Sequence, residues 1–432
     1  MQENKIGRYR WIICFLLFAA TTINYIDRQI FGLLKPELEQ IYGWTETDYS
    51  RIIMAFTASY ALGMLFYSRI IDKIGTKKGY TISVSIWSIA AMLHAGVKSV
   101  LGFGIVRFIL GLGESGNYPA AVKTVGEWFP KKERAFAIGI MDSGSNIGAA
   151  VGPILVPILL VTFGWQFAFI ITGSIGFLWL ITWRIFYKIP AKQKRLGKAE
   201  FDYIHSDDAE GKEDTEEGVA RTVSWKKLLT LKQTWAFIAG KFFTDPIWFF
   251  FLFWLPSYFS SIFHVDFREP SLPLVLIYSG TMIGSLGGGY LSSWLIKKGW
   301  AVYKARRTAL LVAALCVIPI IITRYTDNMW IVVALLCLSV AANQAWSANI
   351  YTIVPDMFPK KVVATVVGLG GMAGAIGSVL FPLFIGYILD FYKGTGNILA
   401  GYNIIFLICG SSFLVAWAVI HFLVPKMEKA SL

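Results

Sequence analysis

Histidine and cysteine are scarce in this chain, four of each in 432 residues. His94, His205, His264 and His421 are scattered, and no nucleophile–His–acid arrangement is legible. Cys14, Cys316, Cys337 and Cys409 all fall inside apolar runs. That placement excludes a disulfide framework and metal-ligand spacing, and leaves them as small packing residues. No metal and no cofactor is expected. Charge is also in short supply: 16% of residues are Asp, Glu, Lys or Arg, where a soluble chain carries roughly a quarter. Hydrophobic residues make up 56% and mean hydropathy is positive. A soluble domain is excluded, and the chain reads as an integral membrane protein. Acidic residues are outnumbered, 27 against 40, for a net charge of +13. Because the basic residues gather in loops on one side, that excess does not point to nucleic acid.

One stretch occurs twice. Glu127–Pro153 reads EWFPKKERAFAIGIMDSGSNIGAAVGP, and Asp356–Pro382 reads DMFPKKVVATVVGLGGMAGAIGSVLFP. Phe129 superposes on Phe358, Gly139 on Gly368, Gly148 on Gly377 and Pro153 on Pro382, at one constant offset of about half the chain. In both copies a basic turn leads into an apolar, glycine-rich helix. A duplicated membrane half in unchanged orientation is the mark of a transporter built from two parallel repeats.

Twelve apolar segments reach spanning length. The first six lie at about 12–34, 50–71, 80–97, 100–122, 135–163 and 165–187. The second six lie at about 233–260, 271–296, 307–324, 329–352, 363–390 and 400–423. The first segment follows Lys5, Arg8 and Arg10 but runs too long for a signal peptide and has no small-residue cleavage site, so a retained first helix is expected. The fold class expected is all-α integral membrane, with twelve helices in two six-helix pseudo-symmetric bundles. Residues 1–190 form the N-terminal bundle, 191–232 a cytoplasmic loop carrying the acidic patch EGKEDTEEG, and 233–432 the C-terminal bundle. Lys and Arg crowd the termini and alternate loops, which puts both termini in the cytoplasm of a multi-pass protein of the cell's inner (plasma) membrane. Trp44, Trp165 and Trp300 sit near span ends, as an interfacial belt requires.

After the second span the chain reads Ser68-Arg-Ile-Ile-Asp72-Lys73-Ile-Gly75-Thr-Lys77-Lys78. A tight turn needs Gly75, Asp72 can accept bonds from a neighbouring helix N-terminus, and Lys77 and its neighbours stay in water. The second half keeps a glycine and basic residues at Gly289 to Gly299, with Ser293 in place of the Asp, so the latch is expected to be stronger in the first half. This turn resembles the signature between helices 2 and 3 of the major facilitator superfamily. Asn24-Tyr25-Ile26-Asp27-Arg28, the set Arg107, Glu114 and Pro119, the run Glu127-Trp128-Phe129-Pro130, and Trp179 to Pro190 narrow the resemblance to its anion:cation symporter family. Within that family the chain is most similar to bacterial hexuronate transporters. The resemblance implies uptake of an organic anion together with protons and, for the helix 1 arginine, Arg28, association with the anion. Where that family often has an amide-bearing residue in helix 11, this chain has Gly370, Gly371 and Gly374.

Asp27, Arg28, Arg107 and Glu114 lie within apolar spans. A charge at bilayer depth costs about 2.5–3.5 kcal/mol on insertion scales, so it faces a cavity or a partner. With a rise of about 1.5 Å per residue, Asp27 lies roughly 22 Å from the cytoplasmic end of helix 1 and Arg107 roughly 10 Å below the outer face, so the two depths coincide. Asp27 and Arg107 can therefore pair. Glu114 lies two turns deeper than Arg107 on the same side, within reach of Arg28. Two readings of Arg28 stand: a bidentate ligand for a substrate carboxylate, or a structural ion pair with Glu114. Asp27 and Glu114, with Arg107, are either the proton-coupling set or charges that merely neutralise arginines. Tyr25, Tyr60, Ser145, Asn343 and Trp346 are candidates for the hydroxyls of a sugar, and equally for helix–helix hydrogen bonds. Asn343 occupies the repeat position of Glu114. Asp142 is expected to be a further buried acid, Lys123 to snorkel to water, and the aromatic run Trp248 to Trp254 to serve lipid contact and packing. Lys241 and Asp245, one turn apart before Pro246, are either structural or in contact with substrate.

The function expected is proton-coupled symport of a hexuronate such as glucuronate or galacturonate, by a carrier acting as a monomer. The alternative in the same class is symport of galactonate, glucarate or another organic anion. A membrane-embedded transferase and a transporter-like sensor without flux are the rivals from other classes.

Overall fold

The computed structural model describes residues 7–206 and 225–430. The acidic patch EGKEDTEEG lies outside the described residues. Within them the structure is helical throughout, with no strand. The first half comprises α1 (Tyr9–Leu33), the short α2 (Lys35–Tyr42), α3 (Glu46–Ile74), α4 (Thr76–Leu93), α5 (Val100–Glu114), α6 (Asn117–Trp128), α7 (Lys131–Phe163) and α8 (Trp165–Phe186). Two short helices follow, α9 (Lys198–Ile204) and α10 (Trp225–Leu229). The second half comprises α11 (Lys232–Phe263), α12 (Leu272–Lys297), α13 (Val302–Val317), α14 (Met329–Met357), α15 (Lys360–Gly394) and α16 (Ile398–Leu423).

These helices make twelve crossings in two bundles of six. Nine of the described helices are long and apolar enough to cross a membrane on length and composition alone. The other three crossings are α3, α4 and the pair α5–α6, which is broken at Ser115 and Gly116. The break is a packing device. A Cβ on Gly116 would sit 2.6 Å from both Ser83 Oγ and a Tyr67 ring carbon, so the chain can bend there only without a side chain. In the second half, α13 runs on into a 3₁₀ segment, Ile318–Tyr325, which completes its crossing.

The sequence repeat is a repeat of packing. In the first half α1 packs along α7 and α3 along α5; in the second α11 packs along α15 and α12 along α14. Glycine sets the spacing at matched positions: a Cβ on Gly148 would lie 2.6 Å from the Thr22 carbonyl oxygen, and one on its repeat mate Gly377 2.8 Å from the Phe242 carbonyl oxygen. Close backbone approach by small residues is how helices associate where the solvent is lipid.

The contacts that join the two halves among the described residues gather at the face remote from the termini. Lys35 Nζ donates to Glu46 Oε1 and to Ser257 Oγ, each at 2.7 Å, with Lys35 and Glu46 both buried. Asp390 of α15 accepts the backbone N–H groups of Glu46 and Thr47, each at 2.7 Å, and so caps α3 from the other half. Tyr49 Oη donates to the Phe253 carbonyl at 3.0 Å, and the Ser271 N–H to the Pro153 carbonyl at 3.0 Å. Lys393 pairs with Glu39, and Arg268 with Glu37 at 3.4 Å. The halves are closed at this face, and the cleft between them opens toward the face that carries the termini.

Two expectations are corrected here. Trp44 and Trp165 are buried rather than interfacial, packed with Phe103 in an aromatic cluster; Trp300 is exposed. Phe250, Phe251, Phe253 and Trp254 are wholly buried, Phe253 against Phe56 and Trp254 against Tyr49 across the two halves. The expected packing role therefore holds, but Phe253 and Trp254 serve it at the closed face between the halves and not against lipid; Trp248 and Phe249 are partly buried.

Candidate functional site

Arg28 stands on α1 four residues after Asn24 and three after Tyr25, on one helical face. Its Nε donates to Glu114 Oε2 at 2.8 Å, and its Nη2 to Asn24 Oδ1 at 3.2 Å. The guanidinium carbon lies 4.8 Å from the Tyr25 ring centroid, 4.6 Å from Tyr60 and 5.4 Å from Phe56. Three aromatic faces thus wall in the cation, an arrangement that stabilises it most where water is excluded. The site is buried: Arg28 is 3% exposed and Glu114 fully enclosed. Among the described residues Nε and Nη2 of the fork have hydrogen-bond partners and Nη1 has none. Glu114 Oε1 has no partner either. Four expected site residues, Tyr25, Arg28, Tyr60 and Glu114, are therefore brought into direct contact, and Asn24 joins them unforeseen.

Arg107 lies one layer away. Its Nη1 and Nη2 donate to the Arg28 carbonyl oxygen at 3.4 and 3.3 Å, and its guanidinium carbon lies 4.2 Å from the Phe31 ring centroid. The expected Asp27–Arg107 ion pair does not form. Rise per residue places the two at one height but does not aim the side chains. Arg107 turns to a backbone carbonyl and the Phe31 face, and its charge acts on Asp27 only from beyond contact. Both Asp27 oxygens are buried without a hydrogen bond of good geometry, with Thr172 of α8 among the groups acting on them.

The facing wall belongs to the second half. Lys241 Nζ pairs with Asp245 Oδ1 at 2.8 Å and donates to Tyr351 Oη at 2.8 Å, while lying 4.4 Å from the Tyr351 ring centroid. Asp245 rests against α15 at Gly374, where a Cβ would fall 2.1 Å from Asp245 Oδ2. Gly374 is thus the seat of a carboxylate, and Gly370 makes the same kind of room for the Phe237 ring. Tyr118 of α6 is exposed, and its electrostatic neighbours come from both halves: Asp142, Tyr60 and Tyr25 of its own and Tyr351 of the other. Asp142, expected to be buried, is exposed in the open cleft.

Among the described residues, three other candidates make no hydrogen bond, ion pair or ring contact with Arg28. The Ser145 hydroxyl donates to the Asp142 carbonyl of its own helix at 2.6 Å. Asn343 is buried in α14. Trp346 is corrected: its ring packs edge-on to Phe413 of α16 at 5.5 Å and is 1% exposed. Tyr351 lies about 140° further round the same helix at about 100° per residue, and it is Tyr351 that faces the cleft.

At the gating turn, Gly75 caps α3 with φ +84°, a left-handed backbone that a side chain disfavours. Lys77 Nζ donates to the Arg184 carbonyl at the end of α8, at 2.9 Å. Lys123, expected to snorkel, donates to the Ile71 carbonyl at 3.3 Å. The Asp72 side chain lies outside the described residues. Glu127 of the repeated segment accepts from Thr76 Oγ1 at 2.6 Å and from Tyr187 Oη, tying α6 to α4 and the end of α8. Its repeat mate Asp356 pairs with Arg306 at 3.3 Å, and Arg306 also donates to Ser292 at 2.9 Å. The second-half turn therefore has a charge pair of its own despite Ser293. Sequence reading missed both of these, and it missed Glu200, which accepts the Tyr9 and Arg10 backbone N–H groups at 3.0 Å each and draws α9 onto the start of α1. The doubled EWFP and DMFP segments carried a signal for Glu127 and Asp356; nothing local marked Glu200.

Comparison with known proteins agrees with this architecture. The model of the Major Facilitator Superfamily matches residues 17–382. The hexuronate transporter of Escherichia coli (strain K12) is 32% identical over 391 residues, covering 90% of this chain and 89% of that one. The D-galactonate transporter of Escherichia coli O6:H1 is 26% identical over 400 residues, covering 90% and 91%. The "Probable galactarate/D-glucarate transporter" of Escherichia coli (strain K12) is 28% identical over 450 residues, covering 100% and 98%. Among solved structures, a bacterial homologue of the human lysosomal transporter Spinster, inward-facing and unoccupied, superposes with a TM-score of 0.79 at 16% identity, covering 99% of this chain and 100% of that one. A D-xylose–proton symporter superposes with a TM-score of 0.73 at 13% identity, covering 98% and 100%. The chain belongs to the Major Facilitator Superfamily: it is a multi-pass membrane transporter and not an enzyme.

Proposed function

We propose that this transporter carries a sugar acid, foremost a hexuronate such as glucuronate or galacturonate, in symport with protons. The observation that carries the reading is the Arg28 fork. It is a buried guanidinium with aromatic walls, held on one side by Glu114, with Nη1 left free of protein. A carboxylate seats on Nη1 and Nη2 in bidentate fashion, sharing Nη2 with Asn24. Tyr25 and Tyr60 then meet the sugar ring, with Ser145 and Asn343 as further polar contacts. Similarity to the hexuronate transporter over most of both chains supports the choice of substrate.

Coupling follows from charge. An anion on Arg28 offsets the positive charge that holds Glu114 ionised, so substrate binding and proton binding at Glu114 favour each other. Asp27, which has no ion-pair partner and only Thr172 beside it, takes a proton without breaking a salt bridge, and Arg107 sets the field between the two acids. The bundles 1–190 and 233–432 rock about this site. The turn around Asp72, Gly75 and Lys77 acts as the inner latch and the Lys35–Glu46–Asp390 cluster as the outer one. The carrier acts as a monomer in the inner membrane with both termini cytoplasmic, so the open cleft faces inward. Binding of a sugar-acid panel to the purified protein, read by thermal stabilisation, tests the reading. Glucuronate or galacturonate is expected to stabilise it most, and a panel with no stabilising sugar acid contradicts it. Preference for an aldonate such as galactonate is the second reading, supported by the likeness to the D-galactonate transporter.

A further inference from the structure

The second-half wall of the cleft holds a cation that is already spoken for. Lys241 is nearly buried, its side chain 6% exposed, and its ammonium is shared between Asp245 and Tyr351. Asp245 is the more open member, 29% exposed, and so presents carboxylate, not ammonium, to the cleft. The chain makes room for that arrangement, since Gly374 is the position at which any side chain would collide with Asp245 Oδ2. Tyr118, 43% exposed, has Tyr351 of this wall among its electrostatic neighbours and, separately, Tyr25 and Tyr60, which flank Arg28. One end of the cleft thus offers a carboxylate seat at Arg28, and the opposite wall offers a carboxylate of its own.

We infer that Asp245 is a specificity-determining residue that restricts this site to sugar acids with one carboxylate. It does so by occupying Lys241 and repelling the second carboxylate of an aldarate. The inference rests on the sugar-acid reading and adds to it the charge of the substrate. Discrimination of this kind works through a repulsive element against the wrong ligand. A hexuronate or aldonate seated by its carboxylate on Arg28 turns hydroxyl groups toward Tyr351, whose hydroxyl can donate, and toward Asp245, whose carboxylate accepts. A dicarboxylate of the same length turns an anion toward an anion.

The experiment is calorimetric titration with glucuronate and glucarate of the wild type, of Asp245→Asn and of the double variant Asp245→Asn, Lys241→Gln. The wild type is expected to prefer glucuronate by roughly tenfold or more. Asp245→Asn removes the repulsion and frees Lys241, so the preference moves toward glucarate by roughly tenfold. The double variant loses that gain, because no ammonium remains to take the second carboxylate. A wild type that binds glucarate as well as glucuronate overturns the inference, as does an Asp245→Asn ratio unchanged from the wild type or a gain that survives the loss of Lys241. Should Asp245→Asn fail to fold, the wild-type ratio alone decides. A wild type that binds neither acid overturns the sugar-acid reading and this inference with it.

Discussion

Arg28 and Glu114 lie 86 residues apart in sequence and meet at 2.8 Å between helices α1 and α5, both nearly enclosed. Two charges removed from water must hold each other, and breaking such a pair by removing one partner costs about 3–5 kcal/mol in general. The pair also leaves Glu114 Oε1 buried without a hydrogen-bond partner, suited to a proton, and takes only Nε of the Arg28 fork, leaving Nη1 suited to an anion.

Glu114→Gln keeps shape and removes the titrating site. Purified variant in liposomes is expected to retain substrate-for-substrate exchange and to lose uphill uptake driven by a pH gradient. A well-folded variant that still concentrates uronate removes Glu114 from the coupling step. Loss of both exchange and binding favours the purely structural ion pair.

Arg28→Lys keeps the charge but loses the fork. Substrate affinity is expected to fall by about 1–3 kcal/mol, the worth of a charge-assisted contact. Titration calorimetry reads it directly, and an affinity within about twofold of the parent rules Arg28 out as the carboxylate ligand.

Lys35→Met strands Glu46 as a buried charge at the closed face. The closed state is expected to lose about 3–5 kcal/mol relative to one in which Glu46 meets water. Spin labels at the exposed positions Arg51 on α3 and Tyr387 on α15 are expected to report a longer mean distance in the variant. Unchanged distances contradict a latch at Lys35.

Gly75→Ala tests the turn. No atom lies within 4 Å of the added Cβ, so any effect comes from φ +84° and not from crowding. Backbone strain of this kind costs of order 1–3 kcal/mol, so a lower thermal midpoint and slower uptake are expected. A midpoint equal to the parent's means that the turn does not need glycine there.

Much of this was legible in the chain itself. Hydropathy located the crossings, the doubled FPKK-to-glycine segment showed the two-fold build, and charges inside apolar runs pointed to Arg28 and Glu114. Facing was the weak point. Depth arithmetic put Asp27 level with Arg107, but side-chain direction sent Arg107 to the Arg28 carbonyl. Trp346 is a candidate for a sugar hydroxyl on its residue type, whereas helix rotation turns its ring onto Phe413 and brings Tyr351 to Lys241. The latch of Lys35, Glu46, Ser257 and Asp390 was illegible, because its members lie in both halves and only the closed conformation joins them. Gly374 looked like a missing polar ligand; its neighbour Asp245 shows why a side chain is absent there.

The most direct test of the central claim is uptake of radiolabelled glucuronate into liposomes holding the purified wild-type protein, with an inward proton gradient imposed and then collapsed. The account predicts accumulation above the external concentration while the outside is acidic, abolished when a protonophore dissipates the gradient. Accumulation that ignores the proton gradient and follows sodium instead, or no glucuronate flux at all, would contradict it.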